Sequence, residues 1–205
     1  MKIVVPRETR PGERRVALVP DTCKKLAQAG YAISIESGAG EAAFYTDAAY
    51  RDAGAAVESD PAAMIASADI VLKVNAPAVD RAEQGEVRWM RSGAILIGSL
   101  MPLRNPEVVT ALAARRVVAF STDAIPRTTR AQAMDTLSSM ASITGYKGLL
   151  LAAADLGRYF PMLMTAAGTV LPARVFVIGA AVAGLQAIAT ARRLGANVIA
   201  TDVRP

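Results

Sequence analysis

The chain has 205 residues, of which 53% are hydrophobic, 5% aromatic and 20% charged, the makeup of a folded Ala/Val/Leu-rich protein and not of a disordered one. It contains no histidine and one cysteine, Cys23, which excludes a Ser-His-Asp or Cys-His nucleophile, an internal disulfide and histidine ligation of a metal, and marks Cys23 as a helix residue in a reducing compartment. The net charge of +5 comes from arginine pairs scattered along the chain, such as Arg14-Arg15, Arg115-Arg116 and Arg192-Arg193, a solvated basic surface and not a nucleic-acid-binding stripe.

Strand-like and helix-like runs alternate from the start, the βαβ pattern of a parallel sheet with helices on its faces. The first strand, Lys2–Val5, opens the sequence with no apolar signal core before it. Further strands are expected at Ala32–Glu36, 69–74, 94–98 and 117–120. A helix over 21–29 closes on Gly30, and Thr46 caps a short helix that stops at Gly54. Asn105, Pro106 and Glu107 supply an N-cap, a proline at the first helical position and an acid in the first turn of a helix to Ala114. These strands and helices make an α/β, Rossmann-like parallel-sheet domain over 1–126.

Residues 127–163 are expected to form a linking loop and a long helix over 129–157, with Gly145 and Gly148 inside it. Glycines there weaken a helix by up to ~1 kcal/mol each relative to alanine, so close packing against a neighbour is the expected reason for them. The apolar run 162–171, broken at Ala166-Ala167-Gly168, predicts a hairpin or arm. Over 164–205 a second α/β unit begins: strand Arg174–Ile178, turn, helix 182–194, Gly195 as its C-cap, and strand Asn197–Thr201. The charge-free run 175–191 is too short to span a membrane as a helix, about 25 Å against roughly 30 Å of hydrocarbon. A lone βαβ unit buries too little surface to fold alone, so the chain is expected to stop, at Pro205, before this NAD-binding Rossmann domain is complete.

The chemistry gathers in that second unit. Gly179-Ala180-Ala181-Val182-Ala183-Gly184 follows a strand and opens a helix, and Asp202 closes the next strand at roughly the spacing of a ribose-binding acid. Gly179 permits a tight turn and Gly184 a close helix–strand contact. The helix N-terminus can hold a pyrophosphate, and Asp202 can accept hydrogen bonds from the adenosine ribose. A carboxylate there repels a 2′-phosphate, which favours NAD(H), an inference that Arg204 weakens. Ala181 stands where the middle glycine of the fingerprint lets backbone approach phosphate, and its methyl group crowds that approach. The expected cofactor-binding set is Gly179, Ala181, Val182, Gly184, Asp202, Val203 and Arg204.

The run Arg130-Ala131-Gln132-Ala133-Met134-Asp135-Thr136-Leu137-Ser138-Ser139-Met140-Ala141 resembles the signature loop and helix of the alpha subunits of proton-translocating NAD(P) transhydrogenases. So do Met164-Thr165-Ala166-Ala167-Gly168-Thr169-Val170, the helix from Gly184 to Ala191, and Ala200-Thr201-Asp202-Val203-Arg204-Pro205, together with Pro6-Arg7-Glu8, Pro11-Gly12-Glu13 and Leu72-Lys73-Val74-Asn75-Ala76-Pro77. The resemblance covers the whole chain. It implies a component that binds NAD(H) between two domains and exchanges hydride with NADP(H) on a partner component, with membrane components coupling this to proton movement. It also implies a homodimer at the cytoplasmic face of the inner membrane, with 162–171 a candidate dimer contact. Arg127, Gln132, Asp135 and Ser138 match the residues on the nicotinamide side. On the spacing alone, Gln132, Asp135 and Ser138 or Ser139 share one helical face, with Asp135 able to pair with Arg127. Thr128 and Thr129 depart from the usual pair.

Alanine dehydrogenases resemble the chain more weakly. Arg15 and Lys73 fall where that family binds and activates its amino acid, while Ser99 or a neighbour takes the place of its histidine. Hydride transfer between two nicotinamides needs no general acid or base, so the missing histidine suits a transhydrogenase. An amino-acid dehydrogenase must move protons. Against substrate binding stands the plainer reading of Arg15 as a solvated arginine and Lys73 as a lysine at a strand end. A third alternative is an inactive fragment or dimerising scaffold that binds nucleotide weakly.

Overall fold

A computed structural model describes residues 1–79 and 85–204. The chain divides into two compact units, Met1–Met134 and Asp135–Pro205.

In the first unit the elements run β1 (Lys2–Val5), α1 (Pro20–Gln28), β2 (Ala32–Glu36), α2 (Asp47–Asp52), β3 (Ala56–Glu58), α3 (Pro61–Ala66), β4 (Ile70–Asn75), α4 (Glu86–Trp89), β5 (Ile95–Ser99), α5 (Pro106–Ala114) and β6 (Val118–Ser121). The six strands form one sheet in the order β3-β2-β1-β4-β5-β6, with every pairing parallel. The chain winds outward from β1 to β3, returns to β4, and winds out the other way. The sheet's topological switch point therefore lies between β1 and β4.

Alternate residues of a strand face opposite sides of its sheet, and β1 shows the consequence. Val4 packs with Met64, Ile65, Val71, Met90 and Leu96 on one face. Its neighbour Val5 packs with Cys23, Ile33, Ile35 and Tyr50 on the other. Each fully buried side chain of this size contributes roughly 1.5–3 kcal/mol, and both faces are covered, as a parallel sheet requires. Tyr50 donates its buried hydroxyl to the Leu18 carbonyl at 2.9 Å, and burial pushes the phenol up to about 12. Burial likewise pushes the Cys23 thiol up to about 11, which makes it a core side chain and a poor nucleophile.

The expected elements are present, with additions and corrections. Thr46 caps α2 by accepting the Ala49 amide at 3.3 Å, and Pro106 opens α5. Asn105 occupies the N-cap position of α5 without a side-chain cap bond. Its amide instead donates to the Leu100 carbonyl at 2.7 Å. Three elements lie outside the sequence expectation. Helix α3, capped by Asp60 through the Ala62 and Ala63 amides, and the single turn α4 are too short for a helical period to register. Strand β3 has three residues, one pleat, held at the sheet edge partly by the Lys2–Glu58 ion pair at 3.1 Å.

The loop after β1 is tied to the end of β4. Glu8 accepts from the Val74 amide at 2.7 Å, and Glu13 from the Asn75 side chain at 2.9 Å. Arg15 grips Glu13 with Nε and Nη2 at 2.8 and 2.6 Å. That grip holds the Glu13 carboxyl at about 2 against an ordinary 4.5.

The second unit contains α6 (Thr136–Asp155), an antiparallel hairpin of β7 (Leu163–Thr165) and β8 (Gly168–Val170), and a parallel pair, β9 (Arg174–Ile178) and β10 (Asn197–Thr201), joined through α7 (Val182–Arg193). The hairpin turns at Ala166-Ala167, as the break in the apolar run predicts. Leu149, Phe160, Ala173, Ala191 and Ala196 form the core.

The expected continuous helix over 129–157 is interrupted. Residues Thr129–Met134 form a 3-10 segment, and Asp135 is the N-cap of α6. Its carboxylate accepts the Ser138 amide at 2.9 Å and the Ser138 hydroxyl at 2.6 Å, which starts a new helix where periodicity alone suggests continuation. Gly145 has the packing role expected of it, because a Cβ there would lie 2.0 Å from the Ala183 carbonyl oxygen of α7. Gly148 does not, since nothing lies within 4 Å of its added Cβ.

Two outcomes follow for stability. By chemical denaturation, G145A should cost about 1–3 kcal/mol through overpacking, whereas G148A should gain up to ~1 kcal/mol through helix propensity; no loss from G145A contradicts the α6–α7 contact, and a loss from G148A contradicts the open space beside Gly148. The depressed Glu13 carboxyl adds stability that is complete above its ordinary value of 4.5 and is lost as pH falls from there toward about 2. Melting curves across that window should therefore fall less steeply for E13Q than for the unaltered chain.

Candidate functional site

The bend between β9 and α7 is built by two glycines. Gly179 holds φ at +94°, a left-handed conformation that favours glycine, and donates its amide to the Thr201 carbonyl at 2.7 Å. A Cβ on Gly184 would lie 1.7 Å from the Gly179 carbonyl oxygen, so only glycine lets α7 start this close to the strand end. Ala181 is the N-cap of α7 and no side chain caps its first turn. Its φ of −79° and ψ of −166° are open to any residue, so the backbone makes no demand for glycine there. Ala181 and Val182 are exposed. The bend thus presents a 12-residue helix by its N-terminus, where amides and the helix dipole favour an anion.

Asp202, at the end of β10, closes over this bend. Its Oδ2 accepts the Ala180 amide at 2.6 Å and Arg204 Nη2 at 3.2 Å. Its Oδ1 accepts the Arg204 amide at 2.9 Å and Nε at 3.0 Å. The Arg204 guanidinium foremost, with the two backbone amides, holds the Asp202 carboxyl well below the usual carboxylate range. The acid is therefore charged at neutral pH. Gly179, Ala181, Val182, Gly184, Asp202 and Arg204 are assembled at one bend, and Val203 beside them is fully exposed.

Of the residues matched to the nicotinamide side, Asp135 and Ser138 are brought together by the α6 cap. Gln132 lies in the preceding 3-10 segment, so the spacing from 132 to 138 does not trace one continuous helical face. Arg127 and Gln132 are exposed in the first unit.

The first unit has a crevice of about 410 Å³ at the carboxyl ends of β4 and β5, lined by Glu8, Thr9, Asn75, Ser99 and Arg104 among others. It adjoins the switch point, where open α/β sheets bind ligands. Lys73 is neither solvated nor at the strand end. It lies within β4 at 5% exposure, with Nζ 2.5 Å from Glu86 Oε1 and 3.8 Å from Glu8 Oε2. Glu86 also accepts the Ala78 amide at 2.8 Å. Arg15 is exposed and engaged by Glu13, and Ser99 donates to Asp123 at 3.1 Å. Glu86 carries no local signal in sequence, because only the fold brings it to Lys73. Glu8 could have been found, since it sits in the opening Pro6-Arg7-Glu8 motif.

Among the described residues no cluster of three or more His, Cys, Asp or Glu could hold a metal ion, and no helix is long and apolar enough to cross a membrane. The run 175–191 is strand, bend and helix, as its sequence suggests.

The family model for the N-terminal domain of alanine dehydrogenase/PNT matches residues 4–144, and that for the C-terminal domain matches residues 148–205. An NAD(P) transhydrogenase subunit alpha polypeptide of Rhodospirillum rubrum is 49% identical over 204 residues, covering 100% of this chain and 53% of the relative. The crystal structure of transhydrogenase from Sinorhizobium meliloti superposes with a TM-score of 0.94 at 45% identity, over 100% of this chain and 57% of that one. A solved L-alanine dehydrogenase gives 0.85 at 27% identity, over 100% of this chain and 55% of that one. The chain spans between 38% and 54% of the length of the curated relatives it matches most strongly. With both domain models matching in order, the chain belongs to the alanine dehydrogenase/PNT family.

Proposed function

We propose that this chain belongs to the NAD(H)-binding component of a proton-translocating transhydrogenase, passing hydride between NAD(H) and NADP(H) held on a partner component. The observation that carries this is the bend itself. Gly179 in the left-handed region and Gly184 against its carbonyl bring a helix N-terminus to the strand end, and an ionised Asp202 stands beside it. These residues fit a dinucleotide: the first turn of α7 would face the pyrophosphate, and Asp202 the adenosine ribose.

Bound NAD(H) supplies the hydride chemistry. The chain's own groups bind and orient, which suffices for transfer between two nicotinamides because no proton is exchanged with solvent. In this reading Arg127, Gln132, Asp135 and Ser138 serve the nicotinamide end, with Ser138 fixed by its hydrogen bonds to Asp135. The partners are the NADP(H)-binding and membrane components and a second copy of the chain, at the cytoplasmic face of the inner membrane. The amino-acid dehydrogenase reading has less support: Lys73 is engaged by two carboxylates and Ser99 by Asp123, and the likeness to the transhydrogenase is closer by both identity and superposition.

Titration by NADH fluorescence should show D202N weakening binding about tenfold or more, the loss of a charge-assisted pair of hydrogen bonds; an unchanged affinity contradicts the assignment. With the partner components added, Q132A should slow hydride transfer from NADPH to an NAD analogue, by roughly a hundredfold if the nicotinamide is displaced by about 1 Å. Robust turnover of alanine with NAD would instead favour the amino-acid dehydrogenase.

A further inference from the structure

An ionised carboxylate offers about four lone-pair positions to donors, and all of those on Asp202 are filled from within the chain. Two are taken by backbone amides, that of Ala180 in the bend at 2.6 Å and that of Arg204 just past β10 at 2.9 Å. The other two are taken by Nε and Nη2 of the Arg204 guanidinium, at 3.0 and 3.2 Å. The Arg204 side chain is 67% exposed, against 15% for Asp202, so the guanidinium is the group in this arrangement that can leave without disturbing the fold. A vicinal ribose diol presents two hydroxyl donors, the number that the guanidinium supplies.

We infer that Arg204 is an internal competitor of the nucleotide ribose, occupying the acceptor positions of Asp202 that the 2′- and 3′-hydroxyls would use, so that nucleotide binding requires the guanidinium to let go. This rests on the reading of the bend as a dinucleotide site and adds a regulating residue to it. Because the ion pair is largely solvated, the competition is modest: a pair of this kind is worth enough to change affinity about two- to fivefold. Arg204 thus lowers the intrinsic affinity of the acid for ribose. It also keeps Asp202 oriented, in the absence of nucleotide, over the Ala180 amide.

The test uses the chain with 5′-AMP and with its 2′,3′-dideoxy counterpart, following the backbone amides from Gly179 to Gly184 by NMR. R204M removes the guanidinium, and R204Q is a second variant with a neutral polar head. Circular dichroism checks that each is folded. Both variants should bind 5′-AMP about two- to fivefold more tightly than the unaltered chain, while the dideoxy nucleotide, which has no hydroxyls to compete, shows no such gain. Equal gains for the two nucleotides would make the effect one of general charge and overturn the inference. Unchanged or weaker 5′-AMP binding in the variants would also overturn it, with the dinucleotide reading left standing. If neither nucleotide perturbs these amides in any variant, the dinucleotide reading fails and the competition fails with it.

Discussion

The contact on which the second unit depends is the approach of Gly184 to the carbonyl oxygen of Gly179, where even a methyl group would sit 1.7 Å from that oxygen. A hydrogen at position 184 lets α7 begin directly at the end of β9. A hydrogen at 179 lets the chain turn there with φ at +94°. The remaining features of the site follow from this geometry. The first turn of α7 faces outward, the Ala180 amide comes within reach of Asp202, and the parallel pairing of β9 with β10 delivers that acid to the same spot. At the neighbouring residue of α7, Gly145 allows α6 to lie against Ala183. The helix that carries the anion-binding end is thus fixed at its first turn by two glycine contacts.

The first unit is held by a different device. Beyond the β1–β4 pairing, side chains cross its switch point: Glu8 and Glu13 reach from the loop after β1 to the end of β4, and Lys73 is held between Glu8 and Glu86. Removing one member of such a buried set leaves an uncompensated charge. The trio therefore ties together the three segments that meet there: the loop after β1, β4 and α4. In the amino-acid dehydrogenase reading the same lysine would have to be available to a substrate.

Much of the fold was legible in the residues because the signals are local. The runs Lys2–Val5, Ala32–Glu36 and Arg174–Ile178 are apolar, β-branched and bounded by turn residues, and the structure has strands with those bounds. The hairpin was marked by its small-residue break, and the bend by Gly179 and Gly184. What escaped was short or non-local. Strand β3 has one pleat and no period to detect. The break before α6 depends on which acceptor the Ser138 amide finds, and Asp135 outcompetes the preceding turn. Gly148 had the same sequence signal as Gly145, but only the α6–α7 packing separates them. Lys73 looked like a strand-end lysine because its two counterions come from positions 8 and 86. Arg204 looked like a minor perturbation of Asp202, while in the fold its guanidinium takes half of the acceptor positions on that carboxylate.

The most direct test of the central claim is a crystal structure of the chain with NAD bound. The pyrophosphate should lie against the first turn of α7, beside Ala181 and Val182, with the adenosine ribose on Asp202. A dinucleotide seated instead in the crevice of the first unit, by Asn75 and Ser99, would contradict the account.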